Sequence, residues 1–154
     1  MKRTLIAAAL AACVASPTEA LLLEGERAAE NLATQCAPVA LHIALWGNAE
    51  DNTELWIKLW NAAESRLRSA RIFDDENQYQ VLNVLVGSHG AATVIEMDLR
   101  RFAIDSGHGK SGEVIVWTTL HLMAHGDDQL YRDVAAGHLD QFLAEYLRAN
   151  PECG

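Results

Sequence analysis

Two hydrophobic periods divide the chain. From Val39 to Trp46, apolar Val39, Leu41, Ile43 and Leu45 alternate with Ala40, His42 and Ala44, which is the period of a strand. Pro38 precedes this run and Gly47-Asn48 ends it. The period then lengthens. Trp56, Leu59, Trp60, Ala63, Leu67 and Ala70 recur at helical spacing, and Asp51 with Glu54 forms a capping box at the start. After the acidic turn Asp74-Asp75-Glu76, three strand-like runs follow: Tyr79 to Val86, Thr93 to Ile104 and Glu113 to Met123. In the second of these, Ile95, Met97 and Leu99 point one way, and Glu96, Asp98 and Arg100 the other. That is an antiparallel strand with one wet face. Ser88-His89-Gly90 and Asp105-Ser106-Gly107-His108-Gly109 are the connecting turns. A last helix starts near Asp127-Asp128 and runs to Ala149 on Tyr131, Ala135, Leu139, Phe142 and Tyr146, widened by Val134, Leu143 and Leu147. Asn150-Pro151 stops it.

The order β-α-β-β-β-α predicts an α+β fold. It is a two-layer sandwich, with a mainly antiparallel sheet and both helices on one face. Length changes this picture little: 154 residues fit one domain. The N-terminus changes it more. Met1-Lys2-Arg3-Thr4 is a positive segment, Leu5 to Ala15 is apolar, and Thr18 and Ala20 are the small residues of a cleavage site. Residues 1–20 therefore read as a secretory signal peptide, too short to span a bilayer. Residues 21–37 follow as an N-terminal arm or short helix, and residues 38–154 form the domain. Leu10-Ala11-Ala12-Cys13 also resembles a lipobox, which makes Cys13 the alternative processing and lipidation site. The expected location is periplasmic or secreted, with an outer-membrane lipoprotein as the alternative.

Charge and cysteines fit that location. The chain carries −9, and loss of Lys2, Arg3 and Glu19 with the leader takes it to −10. Such a surface repels phosphate backbones and anionic membranes, so nucleic acid is not expected as a partner. Cleavage after Ala20 removes Cys13 and leaves Cys36 and Cys153, an even pair in an oxidising compartment and hence an expected disulfide. No Cys-x-x-Cys is present to suggest redox chemistry.

Catalytic chemistry finds little purchase. His121 and His125 are four apart, a metal pair on a helix, but on a strand they lie about 13 Å apart. His89, Asp105 and His108 are metal candidates only if two turns converge, and surface positions outweigh a metal site for the histidines as a group. No Gly-x-Ser-x-Gly elbow, calcium loop or phosphate loop is present. No catalytic residue and no cofactor is assigned.

The element order and hydrophobic pattern resemble several exported bacterial domains: the N-terminal domain of the Tol-system periplasmic propeller protein, the curli-secretion channel subunit and the lipopolysaccharide-assembly lipoprotein. With Val116-Trp117 in the last strand and the final Phe-Leu-Ala-Glu-Tyr-Leu-Arg-Ala-Asn helix, the chain is also similar to small uncharacterised proteins exported by Gram-negative bacteria. The resemblance implies a layered envelope module and transfers no functional residue. The expected function is non-enzymatic: binding an envelope protein or cell-surface component. The helix-free sheet face, with His42, Glu96, Asp98 and Arg100 and without large apolar groups, is the expected surface, and an edge strand is a second route. A metal protein or hydrolase using the turn histidines, and a secreted effector or inhibitor, are the alternatives.

Overall fold

A computed structural model describes residues 32–105, 110–124 and 127–153, without the side chains of Ile104, Asp105 and Lys110. The expected leader (residues 1–20), Cys13, residues 21–31, His108 and His125 lie outside the described residues. The elements are β1 (Ala40–Gly47), α1 (Thr53–Ser69), β2 (Gln80–His89), β3 (Ala92–Asp105), β4 (Lys110–Ala124) and α2 (Asp128–Ala149), with a 3-10 turn at Pro151–Cys153. This is the expected α+β order. The four strands lie in the order β1-β2-β3-β4, with β1 parallel to β2 and the others antiparallel. The parallel pair follows from connectivity, because a strand returning after a helix runs in the same direction as the first.

Both helices cover one face. Leu41 and Ile43 of β1, Leu82, Val84 and Val86 of β2, and Ile95, Met97 and Leu99 of β3 meet two helical stripes. The stripes are Leu55, Leu59, Ala63 and Leu67 of α1, and Tyr131, Ala135, Leu139, Phe142 and Tyr146 of α2. The α2 stripe is the one its spacing predicts. That of α1 is rotated: Trp56 and Trp60 are half-buried and stack on each other at 5.2 Å. Its cap also differs from expectation. Asn52, not Asp51, accepts from Leu55 N at 2.9 Å, and the Asn52 amide donates to Asp128 at the start of α2 at 3.2 Å. One side chain thus satisfies a free helical N–H and ties the two helix N-termini together.

The far end is held by polar groups and a covalent link. Asn150 Nδ2 donates to Leu32 O at 2.8 Å, Thr34 N donates to Asn150 Oδ1 at 2.7 Å, and Tyr146 Oη donates to Ala37 O at 2.6 Å. Cys36 and Cys153 are joined across 117 positions with their Cα atoms 5.5 Å apart. At the other end of β1, Gly47 has φ 65°, and a Cβ there would lie 2.0 Å from Ser88 O, so only glycine fits this exit.

Candidate functional site

The helix-free face of the sheet departs most from ordinary expectations for a wet surface. Cross-strand register sets His42 beside Asn83, Asn83 beside Asp98 and Asp98 beside Thr118. The first three are linked: His42 Nδ1 to Asn83 Oδ1 at 3.1 Å, and Asn83 Nδ2 to Asp98 Oδ1 at 2.9 Å. Arg100 Nε donates to the same Asp98 oxygen at 2.8 Å, and Arg100 also reaches Glu113 at 3.5 Å. Although no helix covers it, Asp98 is 0% exposed. A buried carboxylate is tolerated when paired and hydrogen-bonded, and this one has both partners. Its field in turn holds the half-exposed Arg100 guanidinium above its ordinary pKa, through the hydrogen bond and the charge of Asp98.

Large apolar groups flank this polar row. On one side Trp46 lies over Gly87, where a Cβ would sit 1.7 Å from the indole Cε2, with Leu120 and Leu122 exposed on β4. On the other side Phe102 and Ile115 are exposed. The expectation of a face free of large apolar groups is therefore wrong. In β4 the phase is set by a bulge: Leu99 pairs with Trp117 but Arg100 pairs with Ile115, leaving Val116 unpaired. One extra residue changes which side chains face out. Trp117 turns to the core, its indole Nε1 donating to Glu145 at 2.6 Å, while Ile115, Leu120 and Leu122 turn to the open face.

His89 and Asp105 do not come together. His89 is exposed and pairs with Ala92 at the start of β3, whereas Asp105 ends that strand. Fourteen residues of strand hold the two about 40 Å apart. Successive turns of a meander fall at opposite ends of the sheet, which keeps His89 and Asp105 apart; His108 lies outside the described residues. Among the described residues no group of three or more His, Cys, Asp or Glu is placed to hold a metal.

Two further features were not anticipated. A cleft of about 750 Å³ opens at the C-terminal ends of the parallel strands, lined by Asn48, Asn52, Ser88, Asp127, Asp128 and Tyr131. Its acidic residues are engaged structurally: Asp127 caps α2 through Leu130 N at 2.9 Å, and Asp128 accepts from Asn52. Between β4 and α2, the His121 and His138 rings pack edge to face at 5.7 Å, and Thr119 Oγ1 lies 3.2 Å from His138 Nδ1. His138 Nε2 is buried without a protein partner, and burial, aided by the neighbouring His121, lowers the His138 pKa.

No family model and no curated protein matches the chain. Among solved structures, it is similar to a point variant of the PelC dodecamer from Paraburkholderia phytofirmans, at 18% identity and TM-score 0.40, over 73% of this chain and 90% of that one. A second PelC dodecamer structure from the same organism gives 18% identity and TM-score 0.36, over 77% and 90%. A candidate lipoprotein from Caulobacter crescentus CB15 gives 11% and 0.30, over 77% and 91%. Among the described residues no helix is long and apolar enough to cross a membrane.

Proposed function

We propose that this chain is an exported envelope protein, periplasmic or secreted, that acts by binding another envelope protein rather than by catalysis. The observation that carries this reading is the helix-free sheet face. It sets exposed Trp46, Phe102, Ile115, Leu120 and Leu122 around a hydrogen-bonded polar row. An apolar rim about a fixed polar centre has the make-up of a protein-binding surface. The leader-like N-terminus and the Cys36–Cys153 link support an oxidising compartment. Lipidation at Cys13 is the alternative route to the same compartment.

Fractionation of the producing bacterium tests export. The mature N-terminus read by mass spectrometry should be Leu21, or a lipidated Cys13 whose palmitate label disappears in Cys13→Ser. Binding is tested by co-purification from intact envelopes. A specific partner should accompany the native protein and be lost in a folded Phe102→Arg, Ile115→Arg variant. An intact N-terminus on a cytosolic protein contradicts the reading, as does a partner retained by that variant.

A further inference from the structure

The two edges of the sheet are treated differently. At β1 the outer edge is occupied: Val39 N donates to Ile72 O at 2.7 Å, Asp74 N donates to Val39 O at 3.1 Å, and the Trp56 indole donates to Ile43 O at 3.0 Å. At β4, ladder pairing is to β3 alone among the described residues. An edge strand of an antiparallel pair turns the N–H and C=O of every second residue outward. Sequences usually blunt such an edge with charge, proline or a bulge. In β4 the bulge at Val116 spares the arm from Trp117 to Ala124, and no Asp, Glu, Lys, Arg or Pro lies between Val114 and Ala124. Leu120 and Leu122 on this arm are 58% and 66% exposed.

We infer that the Thr118–Ala124 arm of β4 pairs antiparallel with the same arm of a second copy, making one eight-stranded sheet across a two-fold axis. This inference goes beyond the binding reading above: it concerns the open edge of the sheet rather than the partner on its helix-free face. The arm's own sequence selects a second copy. The chain carries −9, which opposes contact between copies, but the arm holds no Asp, Glu, Lys or Arg, so charge does not forbid pairing there. The arm is self-complementary. Around an axis at His121, Leu120 of one copy lies opposite Leu122 of the other, twice, on the helix-free face. Thr118 then meets Ala124. Directly opposed apolar side chains are the unit of stabilisation in such a ladder, and an isologous contact uses each of them in both copies. Both copies keep their helices on the same side, so the helix-free faces merge into one wider surface.

Sedimentation of the full chain, purified oxidised after expression with its own leader, tests the pairing. The native protein should be dimeric at tens of micromolar. Leu120→Lys with Leu122→Lys places four like charges across the axis and should weaken association at least a hundredfold. Because both side chains are already exposed, the variant's near-ultraviolet circular dichroism should stay native. His121→Cys should form a disulfide-linked dimer on mild oxidation, and Ile57→Cys, exposed on α1, should not. A native protein monomeric at 100 micromolar overturns the pairing, as does a dimer indifferent to the lysine pair. Either result leaves the binding reading standing, since that reading depends on a distinct partner lost with Phe102 and Ile115.

Discussion

Loss of the Cys36–Cys153 link should destabilise the domain more than any single surface substitution. The bridge closes a loop of 117 positions. In the chain-entropy treatment, −2.1 − 1.5R ln n with n near that length is about −16 cal/mol/K, a stabilisation of about 5 kcal/mol at 25 °C. The native state should survive the loss at neutral pH without denaturant, because the same junction is held by Asn150 to Leu32 and Thr34, and by Tyr146 to Ala37. The effect therefore falls on the unfolded chain. With a urea slope of about 1.5 kcal/mol per M, the midpoint should drop by about 3 M. The melting temperature should fall by about 15–20 °C. The assay is urea unfolding followed by circular dichroism for the oxidised protein, the reduced protein and the Cys36→Ala, Cys153→Ala variant. Reduced protein and variant should agree. A loss below about 1 kcal/mol refutes the loop-closure reasoning, and two cysteines that react freely with a thiol reagent in the oxidised native protein refute the bridge itself.

Three other outcomes follow from the same contacts. Asp98→Asn keeps an oxygen for Asn83 and Arg100 Nε, but it removes the charge paired with the guanidinium and sets an amide NH2 against Arg100 Nη2, and should cost about 2 kcal/mol in urea unfolding. Asn52→Ala should cost about 1–2 kcal/mol through the lost cap, whereas Asn52→Asp keeps the cap but sets a second carboxylate against Asp128. His138 favours its neutral form in the fold, so the unfolded chain binds more protons than the native one as pH falls through the ordinary imidazole value of 6.5. Stability from this group is therefore present above that pH and lost below it. His138→Gln should lose less stability than the native protein between pH 7.5 and 5.5, and equal losses would contradict the assignment.

Much of the architecture was legible because period and burial coincide. In β3 the alternation of Ile95, Met97 and Leu99 with Glu96, Asp98 and Arg100 matches the observed sides, and the five buried residues of α2 are those its spacing selects. The helix-free face was less legible. Period assigns Asp98 to a side but not to neighbours, and its burial depends on a register that brings Asn83 beside it. In β4 the unbroken apolar run Val114-Ile115-Val116-Trp117 hides the change of phase at the bulge, so nothing local announced that Leu120 and Leu122 would face outward. The α1 cap slipped by one residue because Asp51 and Asn52 are both good caps, and only the contact with Asp128 separates them. His89 and Asp105 stand apart for a topological reason, since the meander carries adjacent turns to opposite ends.

Photo-crosslinking in living cells tests binding through the helix-free face most directly. A photoreactive residue is placed singly at Trp46, at Phe102 and, as control, at Ile57 on the outer side of α1. The account predicts the same distinct envelope protein captured from Trp46 and Phe102, and no adduct from Ile57. Adducts from Ile57 alone, or none from either sheet position in a correctly exported protein, would contradict it.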